Sequence, residues 1–516
     1  MNADAPAQGK ALRCCKAALF TLLVLGGCAQ PAPSGAGART SEGLYEAALR
    51  SIDELYIANP NFPEIAVAGI HKLSDLDSSL DARFVSGRLE LLQNGGVIEH
   101  VPIDESAPPA TWGAAMERLL ESVTAHSPKL QKMPADQLQE QVFAGILSRL
   151  DRDSGYASAD DAKFLREQQT GGRARASIGL GQIDGNLAIM SNTDCISPLL
   201  RSPRYGDVVL TIDGQDVSAM TPLQANRLLY GPPDSKVDIE VSRPGVAQPL
   251  HQSLVRRRGS DRAQVHSDQI GSVGFVQICT FASETTTVLR KTFRDFESSG
   301  NAPKAYLVDL RGNPGGLLSQ AISTSNLFLE HGKIVSTTGR NPDSHQFFEA
   351  TEGDITQGKP IAVLIDGSAA AGAEIVAMAL QAEGRAVIIG GASLGRGSIQ
   401  NVVALPDGSE LALTWAQTLT PDGAQLTDTA VIPSLCTARI GDAWSKDLQR
   451  ADLSEQEFPI IAKRHIVKTD ASALRALRTA CGQPTATAGD DRDIGIATAL
   501  LADRQLYDRA RQLVGP

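Results

Sequence analysis

Beginning at Gly271, short apolar runs alternate with amphipathic stretches, and this alternation limits the possible folds more than any other feature of the chain. VGFVQICTF reads as a strand, TTTVLRKTFRDFE as a helix, KAYLVDLRG as a strand and GGLLSQAISTSNLFL as a helix; IAVLID, EIVAMALQAEG and AVIIG repeat the series. Short apolar runs bounded by Gly and Asp, separated by helices with one apolar stripe, predict a sheet covered on its faces, and hence an α/β core. Only 4% of residues are aromatic, so Leu, Ile, Val and Ala must fill that core.

Upstream the pattern changes twice. Residues 42–170 carry apolar positions at three and four spacing, as in LYEAALRSIDELY and LQEQVFAGILSRL, which predicts a helical N-terminal domain. TGGRAR then reads as a linker. Residues 176–258 read as short strands and turns, with GDVVLTIDGQ predicting a hairpin closed at Asp213-Gly214. This segment resembles a PDZ domain. The resemblance implies a groove in which a peptide C-terminus adds a strand beside a helix, its carboxylate meeting N–H groups of a loop formed by Ser177, Ile178, Gly179, Leu180 and Gly181.

Three further segments, AYLVDLRGNPGGLL, IAVLIDGSAAAGAEIVAMALQAEGRAVIIG and SLGRGSIQNVVALPDGSELALT, occur in this order and spacing. Together they resemble the core of the carboxyl-terminal processing, or tail-specific, serine peptidases, whose pattern runs approximately DLRNNPGG, GSASASEI, GKGSVQ. The resemblance spans roughly 42–434. It implies a crotonase-like peptidase core over 265–434 behind the PDZ-like module, with a helical extension over 435–516.

In that family a serine three residues before the Glu of the middle motif attacks the peptide carbonyl, and a lysine 25 residues later is its base. Counting from Glu374 puts Ala371 at the first position and Arg396 at the second, without gaps. Alanine has no hydroxyl with which to form an acyl intermediate. Arginine stays protonated in a protein, so it cannot accept a serine's proton. The resemblance therefore implies a degenerate member, probing two separate losses rather than one. Gly315, Gly316 and Gly372 fall where the family supplies N–H groups to an oxyanion, and Gln400 matches the residue that orients the lysine. Asp309 and Arg311 are expected to pair structurally. Ser368, just ahead of the elbow, is the candidate for a displaced nucleophile, but no histidine falls in these motifs to act as its base.

At the N-terminus Lys10, Arg13 and Lys16 precede an apolar run, Ala17 to Leu25, that is too short to span a bilayer and ends in Leu-Gly-Gly-Cys. The tetrapeptide resembles a bacterial lipobox. It implies a signal peptide over 1–27, lipidation of Cys28, a Pro, Gly and Ser-rich tether over 28–41, and retention at the periplasmic face of the outer membrane. In an oxidising compartment Cys436 and Cys481 are the first pair expected to bridge. No cysteine lies in a metal-binding spacing, and no cofactor is expected. A net charge of -11 without a basic stripe argues against nucleic acid.

The expected function is that of an exported pseudopeptidase holding C-termini or unfolded segments of envelope proteins, or regulating an active relative by co-assembly, or forming a homo-oligomer. The alternative is an active endopeptidase working through Ser368.

Overall fold

The computed structural model describes residues 43–169, 173–183, 185–192, 203, 206–243, 246–258, 265–351, 353–421, 423–437, 471–481 and 492–512. The expected signal peptide, Cys28 and the tether fall outside these residues, as does Cys195. Among the described residues no helix is long and apolar enough to cross a membrane.

The alternation after Gly271 folds into a six-stranded sheet. Its order is Val265–Ile270, Val273–Ile278, Ala305–Asp309, Ile361–Ile365, Val387–Gly390 and Leu435–Cys436. The first pair is antiparallel and the rest are parallel. Both faces are covered, which is why the central strands are apolar throughout instead of alternating. The helices Thr285–Ser298, Leu318–Asn326 and Gly372–Ala382 cover one face, burying Phe293, Val308, Val363 and Val376. Each such side chain contributes about 1.5–3 kcal/mol through burial.

The other face is covered from the far end of the chain. Helices Arg492–Ala502 and Arg504–Gln512 set Ile496, Leu500 and Tyr507 against Leu307, Leu364 and Ile389. The Tyr507 hydroxyl donates to the Ile361 carbonyl and accepts from its N–H, both at 3.0 Å. Arg311 grips the buried Asp309 through two N–H donors at 3.0 and 2.9 Å and reaches Asp493 with a third at 3.3 Å. Desolvation disfavours the Arg311 charge, but the flanking carboxylates outweigh it and raise its pKa. The pair expected to be structural therefore also fastens the C-terminal helices to the sheet.

A second sheet, not anticipated from the sequence, has the order Gln346–Glu349, Lys333–Thr338, Glu410–Leu419, Ser398–Ala404. The short strand Gly155–Ala157, far earlier in the chain, joins its longest member. The N-terminal region, expected to be mostly helical, also contains strands. Between helices Phe62–His71 and Pro109–His126 lies a three-stranded antiparallel sheet, Leu80–Val85, Arg88–Gln93 and Gly96–Pro102. Its two tight turns, Ser86-Gly87 and Asn94-Gly95, place both residues at positive φ, the geometry that matches strand twist in a hairpin.

The β-domain has the order Leu250–Val255, Lys236–Ser242, Val208–Ile212, Asn186–Asn192, Ile178–Ile183. The predicted hairpin forms, with Ile212 opposite Gln215 and with Asp213 and Gly214 at positive φ. Beside the edge strand Ile178–Ile183 packs the helix Pro222–Leu228, started by a reciprocal cap between Thr221 and Gln224.

Helix Ala159–Gln169 joins this domain to the second sheet. Its Asp161 pairs with Arg227 and its Arg166 with Glu410, while Phe164 meets Tyr230 edge-on at 4.9 Å.

Candidate active site

Helix Gly372–Ala382 begins immediately after Ala371, whose backbone adopts φ 48° and ψ -108°. An L-residue enters this conformation at a cost of about 1–3 kcal/mol. Such a turn between a strand and a helix lifts one side chain out of the core, here toward a partly exposed position. The turn is kept although the side chain it lifts is a methyl group.

Glu374, one turn into the helix and fully buried, holds this turn in place. Its Oε2 accepts the Ala371 N–H at 2.8 Å and the Arg396 N–H at 2.8 Å; its Oε1 accepts the Gly395 N–H at 2.6 Å and the Ser393 hydroxyl. The backbone nitrogens of residues 371 and 396 share one oxygen, so they lie within twice that contact distance of each other. Burial raises the Glu374 pKa, and the four hydrogen bonds oppose it. Four donors on two oxygens is an arrangement only a carboxylate can accept in full.

The Asn313-Pro314-Gly315-Gly316 turn closes the other side. Buried Asn313 donates to the Ile278 carbonyl at 3.0 Å, accepts the Gly315 N–H at 2.8 Å, and offers its own carbonyl to Ala370 N–H at 3.0 Å. Gly315 is at φ 101°, and a Cβ there would stand 2.8 Å from the Ala371 methyl carbon and 3.0 Å from the Gly372 nitrogen. Only glycine lets the two backbones approach so closely.

This corrects one expectation. Gly315 cannot serve as an oxyanion donor while its N–H is bound to Asn313. Among the described residues, Gly316 and Gly372 have no hydrogen bond on their N–H groups, and Gly316 is exposed.

The remaining predicted residues divide. Arg396 is exposed at the side of the turn, and its side chain carries no hydrogen bond or ion pair among the described residues. Gln400 does not approach it through any bond; its Nε2 donates to the Asp153 carbonyl of the N-terminal domain. Ser368 is only 2% exposed, and its hydroxyl donates to Asp366 Oδ1 at 2.6 Å in a local turn. It therefore faces away from solvent, bound to a residue that shapes the loop. Of the residues Ser177 to Gly181 only Ser177 lies outside a strand, in a bend; Ile178 to Gly181 belong to the edge strand Ile178–Ile183, which pairs with Asn186–Asn192 through a bulge at Gly179/Leu180.

Three organising residues escaped the sequence reading of the site. Glu374 served there only as a landmark, and Asn313 and Asp366 had no assigned role. A buried polar residue inside an otherwise apolar or Gly-rich run was the available signal, since such a group must be fully hydrogen-bonded.

Beyond the Arg396 loop lies helix Ala471–Cys481. Its Arg478 donates to the Leu394 carbonyl, and Cys481 forms a disulfide with Cys436 at the last strand of the central sheet, with Cα atoms 5.5 Å apart. Cys279, after the strand Val273–Ile278, is disulfide-bonded as well.

The strained turn, the glycine turn packed on it and the parallel sheet beneath define a serine-peptidase type of architecture. The model of peptidase family S41 matches residues 272–435. The carboxy-terminal-processing protease of Bartonella bacilliformis is 35% identical over 306 residues, covering 59% of this chain and 70% of that protein. Carboxy-terminal processing protease CtpA of Bacillus subtilis is 30% identical over 313 residues, covering 59% of this chain and 65% of that protein. The chain thus spans about two thirds of the length of these relatives. Among solved structures, the photosystem II D1 C-terminal processing protease shares the fold with a TM-score of 0.54 at 20% identity, over 77% of this chain and 93% of that one. The chain belongs to the carboxy-terminal processing peptidases of family S41.

Proposed function

We propose that this chain is a pseudopeptidase of its family: a binding protein that holds C-termini or unfolded segments of other proteins without cutting them. The observation that carries this reading is Ala371, a side chain without a nucleophile at the one strained position where the fold presents one. Arg396 supports it independently, because a guanidinium cannot take up a proton there. The N–H groups of Gly316 and Gly372 offer a subsite for a bound backbone carbonyl. The relatives' names describe processing of carboxyl termini, and this chain keeps that substrate class as its ligand class.

The reading includes the division of the chain. Residues 1–27 act as a lipoprotein signal, 28–41 as a tether from lipidated Cys28, 42–170 as the N-terminal domain, 176–258 as a PDZ-like module, 265–434 as the peptidase core and 435–516 as an extension packed back on it. The chain sits on the periplasmic face of the outer membrane and either holds envelope proteins alone, as a homo-oligomer, or regulates an active relative by co-assembly.

The displaced-nucleophile alternative gains nothing from the geometry, since Ser368 is buried and its hydroxyl is committed to Asp366. The deciding experiment incubates the chain lacking residues 1–28 with an unfolded protein and with a fluorophosphonate probe. No cleavage, no labelling and retention of the unfolded protein are expected. Turnover or labelling that Ser368→Ala abolishes would overturn the reading.

A further inference from the structure

The groove of the β-domain is already filled at one rung by the protein itself. Strand Ile178–Ile183 ends its sheet, so among the described residues its outward N–H and C=O groups meet no further strand. At Leu180 they are nevertheless taken. The Asn226 side chain, on the adjacent helix Pro222–Leu228, accepts the Leu180 N–H on Oδ1 at 3.1 Å and donates Nδ2 to the Leu180 carbonyl at 2.9 Å. The same Nδ2 donates to the Pro222 carbonyl at 2.7 Å, which fixes the carboxamide in this orientation.

An acceptor facing Leu180 N–H and a donor facing Leu180 C=O are what the last residue of an incoming peptide would present, through its carboxylate oxygen and its amide N–H. The next outward-facing rung, by the period of two along a strand, is at Gln182, which is exposed. At the other end the groove is closed, because Ala176 N–H bonds the Leu229 carbonyl at 3.0 Å and Ala174–Arg175 pairs with Tyr230–Gly231. Asn226 thus sits where a peptide's terminus would stop, between the blocked end and the open rung. Ile178, Leu180, Ala225 and Leu229, on this strand, this helix and the residue just after it, are buried together in one apolar cluster that meets the groove from the domain's core.

We propose that Asn226 is an internal plug of the peptide-terminus site: its carboxamide imitates a ligand's final residue, and a free C-terminus binds only by displacing it. This rests on the reading that the module takes peptide C-termini. It makes the intact groove weak and selective, because the ligand's two hydrogen bonds replace two that already exist, leaving the apolar side chain to supply net affinity.

The test uses the full chain with a fluorescein-labelled decapeptide of Gly and Ser ending in Leu-Val, with a free carboxylate or a terminal carboxamide. Asn226→Ala removes the plug. Asn226→Ser withdraws both polar groups from Leu180 while keeping a small polar side chain, so either variant reports if the other misfolds. Both should bind the free-carboxylate peptide about tenfold tighter than the parent, the scale of one hydrogen bond no longer displaced, and the carboxamide peptide should bind more weakly throughout. Amide exchange at Leu180 should accelerate in Asn226→Ala. Equal affinities in parent and variants, or unchanged Leu180 exchange, would overturn the plug and leave the peptide-binding reading standing. Faster exchange with no peptide binding by any chain would overturn that reading, and the plug's role with it.

Discussion

Glu374 and Ala371 are joined across the first turn of a helix by a 2.8 Å hydrogen bond from the Ala371 N–H to the buried carboxylate. The same carboxylate holds the Arg396 backbone. Both positions where the dyad is expected are thus pinned through their main chains, so the local geometry does not depend on which side chains stand there.

On the proposed pseudopeptidase reading, side chains and not backbone are what this turn lacks. Ala371→Ser combined with Arg396→Lys is expected to yield measurable cleavage of an unfolded protein and labelling by a fluorophosphonate, whereas either single change should give neither. A positioned base contributes on the order of 10²–10⁴ in rate, so the serine alone should stay near background. An inert, correctly folded double variant would show that substrate no longer reaches the turn.

Ala371 should also be improvable for stability. Glycine at φ 48° removes the strain of a side chain, and its greater freedom when unfolded offsets only part of the gain. Ala371→Gly should stabilise the core by about 1 kcal/mol, read as a higher urea midpoint at unchanged slope. A lower midpoint would show that the methyl contact outweighs the strain.

Glu374→Gln should do the opposite. An amide puts an NH₂ group against two donors that now share one oxygen, in a site without solvent. The expected loss is on the order of 2–4 kcal/mol, measured by urea denaturation, with faster amide exchange at Ala371, Gly395 and Arg396. Parent-like stability would mean that the site rearranges around a donor.

The bond between Cys436 and Cys481 closes a segment with a sequence separation of 45. In the chain-entropy view such closure contributes about 4 kcal/mol. Cys481→Ser should free helix Ala471–Cys481 from the Leu394 carbonyl, seen as faster amide exchange over 471–481 and earlier proteolysis there. Unchanged exchange would assign the docking of that helix to Arg478 and packing alone.

The fold was legible where one physical signal dominated. The buried parallel strands announced themselves as unbroken apolar runs, and Asp213-Gly214 marked its hairpin. The second sheet was harder to read, since Ser398–Ala404 is only partly covered and the largely buried Glu410–Leu419 interleaves Thr and Gln with its apolar residues. The hairpin at Asn94-Gly95 carried a readable turn signal, but the neighbouring helical periodicity obscured it. At the site, counting from Glu374 located residues 371 and 396; what counting could not give was Glu374's own task, because three of the four hydrogen bonds that converge on it come from residues 393–396, about twenty positions further on. Nor could spacing reveal that Asn226 turns inward to Leu180, a contact between residues 46 apart.

Helix Ala159–Gln169 holds Arg227, one residue beyond Asn226, through Asp161 and holds Glu410 through Arg166. Glu410 begins the strand that runs alongside Gln400 and its neighbours. The helix is therefore a connecting rod with a charged joint at either end, through which a tilt of helix Pro222–Leu228 would be felt at the second sheet.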